Sequence, residues 1–409
     1  MTKIAIFHPS DPLGQVPSGI DTFLKGILTW APDDLDYTLF GATSDPVKHP
    51  IGRAMSVTMG KRPFKLIPIV SASPSATRGR VPLTARYMWA LKRIIALGGC
   101  ATFDVLDFQR IEPVLLFRHD TRPKNLILHQ DYADLRHPNS DIMWRHWPWL
   151  YDRLEARVFG KVDRVFAVRR SAVERYKKSY PRLAKKFVFT PTWVDFDTFH
   201  PIPDASDRHQ LRARLLETLR APSDSRLLVF VGRLDRQKNP SLLLEAFRQA
   251  SGRRDGLHLI VIGDGILRPE VQATCSGAEL IGRVHLLGVR CAHQIAEFLQ
   301  VSDLFVLSSA YEGMPIAVLE ALATGLPVVS TDVGEVGAIV RSGINGRISK
   351  DQSATSLADS ICSALDEVEL TQGEPCVASV APYQPQPVLS QIYNNHRRQG
   401  QMTGQQVSA

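Results

Sequence analysis

Ser308-Ser-Ala-Tyr-Glu-Gly-Met-Pro-Ile-Ala-Val-Leu-Glu320 is the stretch on which the reading of this chain turns. Just before it, Asp303-Leu-Phe-Val-Leu307 is an apolar run of strand length. Pro315 to Thr324 predicts a helix, with Pro315 in the first turn, where its missing N–H costs nothing. Glu312 then lies on a strand-to-helix loop and Glu320 about two turns into the helix. The free N–H groups of a helix start favour an anion, and phosphate is the usual one. A carboxylate accepts hydrogen bonds from the vicinal hydroxyls of a ribose or pyranose. One crevice offering both suits a sugar nucleotide. Two glutamates at this spacing are also ordinary on a solvated helical face, so the remainder of the chain has to decide.

A basic loop precedes this stretch. Arg226-Leu-Leu-Val-Phe-Val231 reads as a buried strand, followed by Gly232, Arg233, Lys238 and then Asn239-Pro240. Asn239 is a natural N-cap with Pro240 at the first helical position. Gly232 is expected to let the chain turn sharply. Arg233 and Lys238 then sit at the carboxyl edge of a sheet, where open α/β folds bind ligands. Arg233 as a planar fork and Lys238 as a point charge would hold a diphosphate. The competing reading is a solvated basic loop.

Several segments in order resemble family 4 of the glycosyltransferases. They are residues 231–240 (VGRLDRQKNP), 259–271 (LIVIGDGILRPEV), 284–290 (VHLLGVR), 302–340 around the opening stretch, and 342–348 (SGINGRI). The resemblance implies an α/β chain of the GT-B fold, two Rossmann-like domains facing each other across an interdomain cleft. It also implies a retaining hexosyltransferase that needs neither metal nor cofactor, the sugar nucleotide being a substrate. Carried over by position, Arg233 and Lys238 would bind the donor diphosphate. Glu312 would meet donor-sugar hydroxyls, helped by the N–H groups of Gly313 and Met314. Glu320 would hold the ribose, and the backbone at Val289 and Arg290 the base. Gly263-Asp264-Gly265 fails as a dinucleotide fingerprint, because the third glycine position is Arg268.

The N-terminal half matches more loosely. Lys3 to Phe7 reads as a first strand, followed by a turn in which the family's two glycines are Ser18 and Gly19, so Gly19 alone carries the close backbone approach. Asn125-Leu-Ile-Leu-His129 is another strand, with His129 at its carboxyl end, where the family has an active-site histidine and Asp131 could orient it. A histidine there is also a common structural hydrogen-bonder. The catalytic set implied is therefore His129, Arg233, Lys238 and Glu312. Pro191-Thr-Trp-Val-Asp195 departs from the family's Asn-Gly-Val-Asp, with Trp193 in place of a flexible glycine. Asp195-Phe-Asp197 has the form of a metal motif but belongs to this linker.

The expected organisation is an acceptor-binding domain over 1–190 and a nucleotide-sugar domain over 196–380. Residues 371–380 read as a break, 381–398 as a helix returning to the first domain, and 399–409 as a disordered Gln- and Gly-rich tail. Charge is uneven. Residues 1–200 hold 30 Lys and Arg against 19 Asp and Glu, and 153–186 hold 12 against three, beside three closely spaced tryptophans. That suits an anionic membrane surface or a lipid-diphosphate acceptor. A solvated face competes with it, and no nucleic-acid module is present. Nothing is apolar over enough length to span a bilayer. The five scattered cysteines argue for a reducing compartment. The expectation is a cytoplasmic transferase, peripheral on the inner membrane face. It would move a hexose to a hydroxyl of a glycan or lipid-linked glycan in cell-surface polysaccharide or glycolipid synthesis. The rivals are a non-catalytic GT-B scaffold, which Ser18 and Trp193 favour, and a Rossmann oxidoreductase.

Overall fold

The computed structural model describes residues 1–14, 19–59, 62–72, 81–129 and 147–407. They divide into two compact units: residues up to 129, 147–191 and Pro385 onward form one, and Thr192–Gln384 the other. The boundary therefore falls at 191/192.

The first unit is built on eight strands: β1 (Thr2–Phe7), β2 (Leu35–Thr43), β3 (Met55–Met59), β4 (Arg62–Ser71), β5 (Val105–Phe108), β6 (Lys124–Leu128), β7 (Arg164–Ala167) and β8 (Phe187–Phe189). Their order is β3-β4-β2-β1-β5-β6-β7-β8, and every pairing is parallel except β3 with β4. After β1 the chain crosses outward to β2, and β5 later takes the other side of β1. That reversal opens a crevice at the carboxyl ends of β1 and β5. Helix α1 (Gly19–Thr29) follows β1, and α2 (Pro148–Phe159) and α3 (Arg170–Ser179) flank β7 in sequence.

The second unit repeats the principle with six parallel strands: β9 (Arg226–Val231), β10 (Leu257–Ile262), β11 (Val284–Gly288), β12 (Leu304–Leu307), β13 (Val328–Ser330) and β14 (Gly346–Ile348). The order β11-β10-β9-β12-β13-β14 puts its switch point between β9 and β12. Alternate residues of β9 enter different cores. Leu227 and Val229 face one, Leu228 and Phe230 the other. A strand buried on both faces has to read as an unbroken apolar run, which is why β9 and β12 were visible in the sequence. Helix α4 (Pro240–Ser251) starts on Asn239, whose side chain accepts from the Leu242 N–H. Helix α5 (Ile316–Ala323) starts one residue later than expected, with Pro315 as its N-cap. The expected break at 371–380 contains the short helix Glu374–Val380, closed over buried Cys376.

The closing helix α6 (Pro385–Val407) belongs to the first unit. It runs nine residues past the expected end at 398, through much of the segment expected as a tail. Gly400 and Gly404 disfavour a helix by propensity, although the glutamines do not, and tertiary packing overrides propensity. Gly400 packs directly on the Thr2 side chain, and the Thr403 hydroxyl donates to the Asp104 carbonyl at 3.4 Å. No helix among the described residues is long and apolar enough to cross a membrane.

Candidate functional site

Two loops meet at the β9/β12 switch point. The loop after β9 carries Arg233, Asp235, Gln237 and Lys238; the loop after β12 carries Ser309, Glu312, Gly313 and Met314. They are laced by backbone and hydroxyl bonds: the Ala310 N–H donates to the Gln237 carbonyl at 2.8 Å, and the Ser308 hydroxyl to the Lys238 carbonyl at 2.8 Å. The chain bends at Gly232 as expected, though without a positive φ. Its smallness also serves close approach. Gly263, at φ +137°, lies directly on the Gly232 carbonyl, and the Lys238 stem crosses Gly232. Gly334, at φ +58°, sits on the carbonyls of Glu312 and Gly313, and the Glu335 N–H donates to the Gly313 carbonyl at 3.0 Å.

These loops bring Lys238 and Glu312 into direct contact. Lys238 Nζ is 2.6 Å from Glu312 Oε1, with the side chains 14% and 8% exposed. The Ser309 hydroxyl donates to the same oxygen at 2.7 Å, and Gln237 Nε2 lies 3.4 Å from Oε2. Arg233 stands further out. It is paired with Asp235 at 2.9 Å and donates to Gln237 Oε1 at 3.0 Å. An ammonium has three donors, so Lys238 keeps capacity for a ligand while anchored on Glu312. The N–H groups of Gly313 and Met314 make no hydrogen bond among the described residues, although both residues are buried. The Glu320 carboxyl makes no hydrogen bond among the described residues either. Burial pushes its carboxyl up to about 7, against the pull of Lys238 and with a small push from Asp195. The crevice thus presents a partly shielded cation, two unengaged N–H donors and an unengaged carboxyl. That set matches an anion carrying hydroxyls.

Val289 and Arg290 lie just past β11, the edge strand of this sheet, and Arg290 Nη1 donates back to the Val289 carbonyl at 3.0 Å. Asp195 closes a turn on the Asp197 N–H at 3.0 Å and the Thr198 hydroxyl at 2.8 Å, as the linker reading expects. Among the described residues no three His, Cys, Asp or Glu side chains gather as a metal-holding group. Trp193 is buried, 5% exposed.

In the first unit, His129 follows β6, and Phe23 of α1 meets it edge-on at 5.1 Å. Burial, and secondarily His8, holds its imidazole down at about 3, with Asp21 pulling the other way. His129 is therefore neutral at physiological pH. Its Nε2 is 2.9 Å from Gln109 Oε1. His8, just past β1, is 7% exposed and likewise held at about 3, with no partner for either ring nitrogen among the described residues. Gly19 opens α1 with no described atom near where a side chain would go. Ser18 and Asp131 lie outside the described residues. Sequence reasoning missed Gln237, Ser309, His8 and Gln109. For Gln109 a signal existed: Asp107 and Gln109 alternate with apolar residues and so share one face of a buried strand.

Residues 212–372 match the family model described as glycosyl transferases group 1. The chain is 30% identical over 186 residues to the UDP-Gal:alpha-D-GlcNAc-diphosphoundecaprenol alpha-1,3-galactosyltransferase of Escherichia coli, covering 44% of this chain and 46% of that one. It is 26% identical over 230 residues to the amylovoran biosynthesis glycosyltransferase AmsK of Erwinia amylovora, covering 52% and 54%. The chain thus spans about half the length of these curated relatives. Sucrose-phosphate synthase from Thermosynechococcus elongatus superposes with a TM-score of 0.77 at 18% identity, over 97% of this chain and 99% of that one. The fold is GT-B, and the crevice of Arg233, Lys238, Glu312 and Glu320 lies wholly inside the segment that matches the group 1 glycosyl transferases.

Proposed function

We propose that this chain is a retaining, metal-independent glycosyltransferase of family 4. It moves a hexose from a nucleotide diphosphate sugar to a hydroxyl of a glycan or lipid-linked glycan, in cell-surface polysaccharide or glycolipid synthesis. The observation that carries the reading is the β9/β12 crevice, where Lys238, the Gly313 and Met314 N–H groups and Glu320 stand ready for a hydroxylated anion. Lys238 and Arg233 would stabilise negative charge gathering on the diphosphate as the glycosidic bond opens. Glu312, locked by Lys238 and Ser309, would accept from donor-sugar hydroxyls, and Glu320 from the ribose. No side chain in this crevice is placed as a nucleophile. Same-face attack assisted by the leaving phosphate fits better than a covalent glycosyl-enzyme. The basic surface around α3 and the exposed Trp147 and Trp149 support peripheral docking on an anionic membrane.

The test is a thermal-shift screen against UDP-, GDP- and ADP-sugars, since a ligand that binds only the folded state raises its stability. Donor turnover is then followed by release of nucleotide diphosphate and by the anomeric signal of the product. A stabilising donor, turnover with an added glycan or polyprenyl-linked acceptor, and retained configuration are expected. Binding without turnover across such acceptors would leave the scaffold reading standing in its place.

A further inference from the structure

The imidazole of His129 is the visible end of a buried polar chain. Gln109 Oε1 meets His129 Nε2 at 2.9 Å, and Gln109 Nε2 donates to Asp107 Oδ1 at 2.6 Å. The other oxygen of Asp107 meets His396 Nε2 at 2.9 Å, and His396 Nδ1 meets the Tyr37 hydroxyl at 2.9 Å. Asp107 and His396 are 0% exposed and Gln109 is 2% exposed. The four positions come from β2, the β5 strand and its end, and α6. Polar groups placed this deep are costly unless every one is satisfied, so the chain is a built feature and not a chance contact.

The directions within it are determined. The Gln109 amide nitrogen donates to Asp107, which leaves its oxygen turned toward His129. That oxygen only accepts. His129 must therefore carry its proton on Nε2. Its Nδ1 is left with a lone pair, and no described side chain or backbone group bonds it. His8, beside it in the same crevice, has two further ring nitrogens without partners among the described residues. Because burial keeps His129 neutral, Nδ1 stays an acceptor at physiological pH.

We propose that Gln109, Asp107 and His396 are positioning residues that fix His129 as its Nε2–H tautomer, so that Nδ1 accepts a hydrogen bond from a hydroxyl of the sugar substrate. The hydroxylated substrate rests on the function proposed above; the tautomer does not. The closing helix then has a part in the site, because His396 reaches His129 through two intermediates.

Histidine-selective 15N labelling of the full chain reads the tautomer directly from ring-nitrogen shifts and couplings. In the wild type His129 should show protonated Nε2 and unprotonated Nδ1 at pH 7; a protonated Nδ1 would overturn the proposal. Gln109→Met removes the acceptor and should abolish the Nε2–H signature, and His396→Phe, acting through Asp107, should shift the His129 resonances. His396→Gln keeps an N–H for Asp107 and should restore them. With UDP-glucose as donor probe, Gln109→Met and His396→Phe should lower kcat by about tenfold or more, on the scale of a misplaced contact. The donor KM should stay within about twofold, and thermal melting separates this from misfolding. If His129 resonances do not respond to His396→Phe in a folded protein, the relay is wrong. If the resonances respond as stated but the wild type transfers no sugar, the orientation stands and the transferase reading falls.

Discussion

Arg233 and Lys238 carry the same formal charge in different surroundings, and the difference predicts different failures. Arg233 is 52% exposed, and its partner Asp235 also accepts from the Lys238 N–H at 3.0 Å, so Arg233→Ala should lower the melting temperature less than Lys238→Ala while kcat/KM falls by about 10²-fold, the scale of one lost charge-stabilising donor. Lys238→Ala strands a Glu312 carboxylate that is 8% exposed, and breaking a buried pair from one side costs about 3–5 kcal/mol. Denaturant unfolding should show that loss alongside the kinetic one. Equal stability of the two variants would contradict the pairing. Glu320 gives a pH-dependent counterpart. Its carboxyl is raised from 4.5 to about 7. Between those values the unfolded chain ionises while the folded one does not, so stability falls as pH rises, and the loss is complete above the folded value. Glu320→Gln should therefore melt higher than wild type at pH 8, with the gap closing toward pH 4. UDP-glucose affinity, measured calorimetrically, should rise through pH 7 in the wild type, as the ionised carboxylate accepts from ribose, and stay flat in the variant.

At the scale of elements, α6 is held by hydrogen bonds as much as by apolar contact. Asn395 Nδ2 and Gln399 Nε2 both donate to Asn125 Oδ1, at 2.9 and 3.0 Å, and Asn125 Nδ2 returns a bond to Gln399 Oε1 at 2.8 Å. The Tyr393 hydroxyl donates to the Ile27 carbonyl at 3.0 Å. Gly400 admits no side chain against Thr2. Gly400→Val should destabilise by about 1–3 kcal/mol, as overpacking does, visible in urea unfolding followed by a probe in the first unit; an unchanged midpoint would mean α6 does not pack on β1 as described. This helix also marks where sequence reading stopped. The strand–loop–helix units around Arg233 and Glu312 were legible because strand burial, N-cap and loop cations lie within about 15 residues of each other and obey local rules. The extent of α6 was not, because the partners of Asn395, His396, Gln399 and Gly400 are 270 or more residues away. His8 was missed because a polar residue at a strand end declares itself only when its neighbours arrive from other strands, whereas Gln109, two residues from Asp107, carried a local signal that went unread.

Over the whole molecule the charge lies mostly in residues 1–200, yet not all of that basic run is free surface. Lys186 Nζ donates to the Phe159 and Val162 carbonyls at 3.3 and 2.6 Å, closing the end of α2, and Arg170 lies over the Phe189 ring at 4.1 Å. Lys177, Lys178, Arg182 and Lys185 are exposed. If the run docks on a membrane, the protein should sediment with anionic liposomes and not with neutral ones, and added salt should release it. Each basic residue near the surface contributes roughly 1 kcal/mol and is screened within about a Debye length. Replacing those four with glutamine should weaken sedimentation without lowering UDP-glucose affinity. Failure of the wild type to sediment at low salt would reduce the run to a solvated face.

The return of α6 to the first unit also orders events at the ribosome. Domains generally mature during synthesis from the N-terminal end. Here residues 192–384 are contiguous and complete once they emerge, whereas the first unit still lacks the partners of Asp107 and Asn125. Those partners are translated only after residues 192–384. The first unit is therefore completed only after the second, and until then the emerging chain holds an open polar seam on its sheet, exposed to chaperones and proteases while residues 192–384 are made.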